Sequence, residues 1–427
     1  YALGLALGER YRSALLDAQR QTAPSALDRR KQELRAQFLL PALTHLRESS
    51  GVRLEAPAYV EGLIAFYNEQ PALALQKAEE ALRQAPWLPE PKKLMADVHY
   101  AKGFALRHEG KYAESRKELK VAVALYQEAE AISRSDADIY VAEAETWAEV
   151  IKVDVNDGSN AGEDFLLSQR AVKDLALVLP GNAELYRISA HIDLQFGVSL
   201  MGAGKDPSQF LERAITSGEA ALALKSNQCN VLEVMGFALL AKYIQQSNSS
   251  IEPSEDNEKK VIRILSDVIN CNPNSTWGHN QLGIVYYLQS LNRALRGIDS
   301  ESGYRMAIRE FERTIDISPQ EEQPYTNLLQ LYENMGRVCV DSGCDLSGYS
   351  DRIKDVHRRA MNSSVGGALS LNNIAAYQIN VIRRSLFLVE DPNSAFGELT
   401  KYANQALALN PSNYETYQVL SEAHLLM

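Results

Sequence analysis

The sequence predicts an all-α protein built as a solenoid of antiparallel helix hairpins. A short apolar signature recurs along the chain, ending at residues 86, 136, 180, 226, 273, 319, 365 and 411, mostly about 46 residues apart. Between these register positions, apolar residues follow helical spacing, interrupted by loops rich in Gly, Ser, Asn and Asp, and no segment alternates as a strand would. A period of this length is typical of stacked repeats.

This periodicity also predicts the domain organisation. We expect one α-solenoid over residues 1–427, with N-terminal repeats over 1–86, seven long repeats over 87–411 and a terminal helix over 412–427 that is capping or truncated. A repeat array can absorb this length as one body, which is why the repeats outweigh the usual expectation of two or three domains.

Each repeat is predicted to contain two helices separated by a loop of helix-breaking residues. In the repeat that ends at Pro319, we predict a first helix over Ser275–Arg296, an interruption over Gly297–Gly303 and a second helix to Ile317. Two other second helices begin at Asp-Pro pairs, which supply an N-terminal cap and a proline for the first turn.

Two offsets within the repeat are expected to be packing positions, because mostly small or compact side chains occupy them. Ten residues after the register positions stand Ala96, Thr146, Ala190, Gly236, Gly283, Leu329, Ala375 and Ser421. Five residues before them stand Ala81, Ala131, Leu175, Ala221, Val268, Thr314, Ala360 and Ala406.

The sequence resembles the tetratricopeptide repeat. Leu282-Gly283 and Tyr286 match the family's first helix, while Ala307, Phe311 and Pro319 match its second. The resemblance implies a right-handed superhelix whose first helices line a concave groove. The repeat here is about 12 residues longer than the family's 34, which we assign to longer helices and loops.

The resemblance also implies which residues face the groove. At the corresponding positions of the first helices stand amide and aromatic side chains, which could bind the backbone and apolar side chains of a protein or peptide. Burial of Trp277 and Tyr287 between repeats is an equally weighted alternative. The predicted groove residues are Arg187, His191, Trp277, Asn280, Tyr287, Asn327, Asn372 and Asn373.

A second, weaker resemblance concerns residues 1–135. Segments such as Pro57–Tyr67 and Ala85–Leu94 are similar to the repeat region that follows the catalytic domain in some bacterial serine/threonine protein kinases. It implies a catalytic domain upstream of Tyr1. The chain itself has no kinase glycine loop, His-Arg-Asp or Asp-Phe-Gly tripeptide, so we predict no phosphoryl transfer by it.

No catalytic, cofactor or metal site is predicted. Gly202-Ala-Gly-Lys205 lacks the spacing of a phosphate-binding loop, and Asp154–Gly158 lacks the glycine of a calcium loop. The histidines have no zinc-type spacing. We therefore predict a chain that is not an enzyme and needs no cofactor.

The net charge and the lengths of the apolar runs limit which kinds of partner the chain is expected to bind. The net charge of −11 predicts no nucleic-acid partner, and no apolar run reaches the length of a membrane span. The chain lacks a signal peptide, which predicts a cytoplasmic location, although both ends look cut.

Four cysteines are too few for a disulfide scaffold. Cys229 with Cys271, and Cys339 with Cys344, could pair, but reduced thiols are favoured because no secretion signal is present.

For function, the repeats predict a non-catalytic protein-interaction scaffold, the docking or sensory region of a larger signalling protein. Two alternatives remain open. One is the regulatory region of a serine/threonine kinase, and the other is a sensor that holds a small ligand between repeats.

Overall fold

The computed structural model describes residues 1–21, 24–49, 56–226, 228–248, 255–343, 345–363 and 365–427. Over these ranges the chain forms helices, turns and bends without any strand, which confirms the all-α prediction. The helices are α1 Ala2–Gln21, α2 Pro24–Leu34, α3 Leu40–Ser49, α4 Pro57–Tyr67, α5 Pro71–Gln84, α6 Glu90–His108, α7 Tyr112–Ile132, α8 Ala137–Asp157, α9 Gly162–Val178, α10 Ala183–Gly202, α11 Ser208–Leu224, α12 Cys229–Asn248, α13 Glu255–Cys271, α14 Thr276–Ala294, α15 Glu301–Ile317, α16 Glu322–Ser342, α17 Ser347–Asn362, α18 Ala368–Phe387, α19 Asn393–Leu409 and α20 Tyr414–Leu426, with a π-helical turn at Arg35–Leu39 between α2 and α3.

The chain divides into two compact units, residues 1–260 and 261–427. In the first unit, α1 and α3 pack together, and the hairpins α4/α5, α6/α7, α8/α9 and α10/α11 follow, with α12 packed on α10 and α11. In the second unit, the hairpins are α14/α15, α16/α17 and α18/α19, and α20 packs on α18 and α19. Within each unit, consecutive first helices of the hairpins contact one another. The hairpins are therefore tetratricopeptide-like, and the single solenoid over 1–427 stays a prediction.

The small residues at the packing offsets lie where the two helices of a hairpin meet. A Cβ atom placed on Gly283 in α14 would lie 2.6 Å from the ring of Phe311 in α15. Ala307 and Phe311 are fully buried on the same hairpin. The tetratricopeptide-like Gly, Ala and Phe positions are thus the contact surface of this helix pair.

One register position is corrected by the structure. Ala131 is exposed, whereas Ala129 is fully buried, and α8 begins at Ala137. Helices α10, α14, α16 and α18 each begin three residues after their register position. By the same spacing, the start of α8 at Ala137 puts the register position of that repeat at residue 134 instead of 136. Ser421, at the other offset, is exposed on α20. The shift escaped the sequence pattern because no proline marks that copy.

The cysteines also differ from the expectation of reduced thiols. Cys229, Cys271 and Cys339 are each disulfide-bonded. Cys344 lies outside the described residues. The prediction of reduced thiols, which was based on the lack of a secretion signal, is therefore wrong for the three described cysteines.

Candidate functional site

The first helices of the second unit carry most of the predicted groove residues, and hydrogen bonds tie these helices to one another. Between α14 and α16, Asn327 Nδ2 donates to Asn280 Oδ1 at 2.9 Å, and Asn334 Nδ2 donates to the Tyr287 hydroxyl at 2.8 Å. The predicted neighbours Asn280 and Asn327 are therefore in direct contact.

The same pattern repeats between α16 and α18. Asn373 Nδ2 donates to the main-chain carbonyl of Thr326 at 3.1 Å, and Asn380 Nδ2 donates to that of Glu333 at 2.9 Å. We call Asn280, Asn327, Asn334, Asn373 and Asn380 the amide ladder.

All four ties join residues 47 positions apart, one more than the 46-residue interval between Pro273 and Pro319. Each helix thus meets its neighbour with an offset of one residue. In two of these four hydrogen bonds, the acceptor is a main-chain carbonyl of the preceding helix. Each of these two bonds therefore requires a particular side chain on only one of the two helices.

Burial divides the ladder into an inner and an outer part. Asn280 is only 3% exposed, and Asn334 and Asn380 are also buried. Asn327 and Asn373 are half-buried, and Gln330, one turn after Asn327, is exposed. The inner amides hold the helices together, whereas the outer amides can also reach a ligand.

Two side-chain amide atoms of the predicted groove residues are buried without a hydrogen-bond partner. These atoms are Asn280 Nδ2 and Asn372 Oδ1. Asn372, a predicted groove residue, lies next to Asn373 in α18 but on the buried side of the helix. Such unpaired groups are costly in a protein interior.

The aromatic residues of the predicted groove differ in exposure. Tyr287 is buried, and its hydroxyl accepts the hydrogen bond from Asn334. Burial raises its pKa, and the nearby carboxylate of Glu333 adds to the rise. Trp277 is half-buried at the start of α14. Tyr287 is therefore buried beside the inner part of the ladder, whereas Trp277 is not buried.

Sequence reasoning missed several members of this site. Asn334 and Asn380 each stand fifteen residues after a register position, so equal offsets could have found them. Arg337 Nη2 donates to Asn334 Oδ1 at 2.7 Å, and burial raises the pKa of Glu333, which Arg337 opposes. This charged pair lies beside the ladder and was not predicted.

Arg187 and His191 lie on α10 in the first unit. Arg187 pairs with Glu145 of α8 and with Glu184 of its own helix. Burial would lower the pKa of Arg187, but the two carboxylates outweigh it and raise the pKa. His191 is half-buried. Arg187 therefore joins two first helices through charge, as the amides do in the second unit.

The arrangement offers hydrogen-bonding groups from neighbouring first helices. Over the part of the chain that the structure describes, no three His, Cys, Asp or Glu side chains converge as a metal site. No helix among the same residues is both long and apolar enough to cross a membrane.

No protein-family model and no curated protein matches this chain. Several solved structures are similar in fold. The C-terminal part of a TPR repeat-containing protein from Cytophaga hutchinsonii is 15% identical, covering 75% of this chain and 99% of that one, with a TM-score of 0.43. The human IFIT1 dimer with m7Gppp-AAAA is 14% identical, covering 99% of this chain and 90% of that one, with a TM-score of 0.43. MamA from Desulfovibrio magneticus RS-1 is 16% identical, covering 51% and 96%, with a TM-score of 0.33. At these identities and TM-scores the similarity says nothing about what this chain binds.

Proposed function

We propose that the chain is a non-catalytic protein-interaction scaffold that holds an extended peptide along the first helices of its second unit. The observation that supports this is the outer part of the amide ladder, where Asn327 of α16 and Asn373 of α18 stand half-exposed on neighbouring, hydrogen-bonded helices. Both asparagines are among the groove residues predicted from the sequence.

Primary amides suit an extended backbone, because each carries both a donor and an acceptor and so can pair with a peptide N–H and C=O. Asn327 and Asn373 are held by their ties to Asn280 Oδ1 and to the Thr326 carbonyl. Holding them in place lowers the entropy that binding would otherwise cost. Exposed Gln330 supplies a further amide on the same helix as Asn327.

Charge favours a neutral or basic peptide. The chain carries a net charge of −11, and exposed Glu322 lies one turn before Thr326 at the start of α16. None of the outer amides or their ties involves a lysine. A peptide that ends in an acidic tail is therefore disfavoured.

Two finer predictions go with this proposal. One places the scaffold in a larger signalling protein, with a kinase catalytic domain upstream as the alternative. The other places it in the cytoplasm. The disulfide-bonded Cys229, Cys271 and Cys339 favour an oxidising compartment over that location, because cytosolic thiols are usually kept reduced.

A phage-displayed library of random peptides, selected on the whole chain, tests the proposal. We expect peptides whose affinity falls by about tenfold or more in the double variant Asn327→Ala/Asn373→Ala. Asn362→Ala is the matched control, because Asn362 is an exposed asparagine at the end of second helix α17. Equal binding to the wild type and the double variant would show that the amide ladder does not form the binding surface.

A further inference from the structure

The turns that join first to second helices share one backbone feature. In the described turns, a residue just after the first helix has positive φ, and where the next residue is also described its N–H donates back into that helix. In the turn after α10, Gly204 has φ 66°, and Lys205 N donates to Leu200 O at 2.8 Å. Glycine also takes this position, with φ between 71° and 78°, at Gly110, Gly158, Gly297 and Gly343, whereas Glu69 takes it with φ 58° after α4.

The turn between α18 and α19 keeps the geometry but not the glycine. Val389 has φ 62° there, and Glu390 N donates to Ser385 O at 2.8 Å. A β-branched residue in the left-handed region is a genuine outlier, because its Cβ crowds the backbone. Val389 therefore destabilises a turn that glycine would form without strain.

Nothing within the described chain compensates for this strain, because the Val389 side chain is 94% exposed. Three further apolar side chains precede it without a break, namely Leu386, Phe387 and Leu388, and Phe387 is 73% exposed. We call Leu386–Val389 the apolar tip. By contrast, Asp341 and Ser342 precede Gly343 in the turn of the previous hairpin. Strain combined with exposure of four consecutive apolar residues is typical of a surface that is buried by a partner.

Of the four charged residues next to the apolar tip, Arg383 and Arg384 are half-buried, whereas Glu390 and Asp391 are exposed. Arg383 on the preceding turn is paired with Glu422 of α20 at 2.6 Å, so its charge is already balanced. The Arg384 guanidinium lies 5.7 Å from the centre of the Phe387 ring. Exposed Glu390 and Asp391 directly follow Val389.

We propose that the apolar tip docks into a partner protein whose apolar pocket is bordered by lysine or arginine side chains. Phe387 and Val389 supply the apolar contact, and Glu390 and Asp391 face the basic border. These two carboxylates would be repelled by an anionic lipid surface, which favours a protein over a membrane. This docking site is separate from the amide ladder and does not depend on it.

A phage-displayed library of gene fragments from the organism that encodes the chain tests this docking site. We expect selected fragments whose affinity falls about tenfold or more in Phe387→Ala and weakens as salt is raised. The matched control is Leu295→Ala, because Leu295 is also an exposed apolar residue at the end of a first helix. Asn327→Ala/Asn373→Ala should leave this binding unchanged, which separates it from the peptide groove.

The variant Val389→Gly supplies an independent readout. It should raise the midpoint of thermal unfolding by a few degrees, since glycine adopts positive φ freely, while weakening fragment binding. The proposal is overturned if no fragment is selected or if every selected fragment binds Phe387→Ala as well as the wild type. It is also overturned if the apolar tip drives self-association in sedimentation, or binding to lipid vesicles, instead.

Discussion

The two units differ in the contacts that join their stacked first helices, because neutral amides are prominent only in the second unit. In the first unit, carboxylates pair with arginines of a neighbouring first helix, as Glu149 does with Arg107 at 3.0 Å and Glu145 with Arg187. In the second unit, the neutral hydrogen bonds of the amide ladder join the first helices, beside ion pairs between helices such as Arg359–Glu312 and Arg383–Glu422. The same helix arrangement is therefore compatible with ionic and with neutral contacts between repeats.

The difference has a consequence for pH. Burial raises the pKa of Glu130 to about 9, with the carboxylate of Glu143 adding to the rise. Burial raises the pKa of Asp154 to about 7 although Arg116 opposes the shift. Burial also raises the pKa of Asp193 to about 6. Amides do not titrate, so the ties of the first unit respond to pH whereas the amide ladder does not.

The largest expected loss of stability comes from a bulky side chain at the contact between the two helices of a hairpin, a contact that both units have. Gly283→Leu should destabilise the second unit by about 3 kcal/mol, because a Cβ there would lie 2.6 Å from the Phe311 ring. Gly103→Leu should act alike in the first unit, where a Cβ would lie 2.7 Å from Leu119. Urea unfolding followed by hydrogen exchange of each unit measures both losses.

Gly348→Leu is the control for these variants, because a Cβ on Gly348 would meet nothing within 4 Å. It should leave stability close to that of the wild type. If Gly283→Leu were as stable as Gly348→Leu, close approach of the hairpin helices would not be what these glycines provide.

The next effect concerns the amide ladder alone. Asn334→Ala removes the donor to Tyr287 and leaves a buried hydroxyl without that partner, which should cost about 1–3 kcal/mol. Thermal unfolding measures the loss, and a variant as stable as the wild type would contradict a stabilising role for this part of the ladder.

A smaller effect tests the acidic ties of the first unit. Glu130 has an ordinary pKa of 4.5 when unfolded and about 9 when folded, so the folded state binds one more proton between these values. Stability should therefore fall as pH rises from 4.5 to 9. Glu130→Gln should make this fall smaller and stabilise the chain at pH 8 by about 1 kcal/mol, a value kept low because Glu130 is half-buried and solvent screens it.

Glu114→Gln is the control for this variant, because Glu114 is exposed on the same helix. It should leave the pH dependence of thermal unfolding as in the wild type. A wild-type profile that stays flat over this range, or that rises with pH, would argue against a protonated Glu130.

The smallest expected effect on stability is that of breaking an exposed ion pair. Arg305 and Glu301 form an exposed pair at 2.7 Å within α15. Arg305→Ala should change the midpoint of thermal unfolding by no measurable amount, because solvent screens such pairs. A clear drop would mean that exposed pairs contribute to the second unit, and the contrast with the first unit would weaken.

The sequence was sufficient to predict the hairpins and much of their register, because small residues and prolines repeat at fixed offsets. It also brought Asn280 and Asn327 together as neighbours. It missed the register shift before α8, where Ala129 and not Ala131 is buried, because no proline marks that repeat. The sequence named possible cysteine pairs but favoured reduced thiols, and the buried acids such as Glu143 leave no periodic pattern, so tertiary contacts were needed to reveal them.

The most direct test of the proposed groove is hydrogen exchange of the whole chain with and without a peptide selected from the random library. Slower exchange should appear in the first helices α16 and α18, around Asn327 and Asn373, with little change in α15, α17 and α19. Protection confined to the second helices or to the first unit would contradict a peptide-binding groove on the amide ladder.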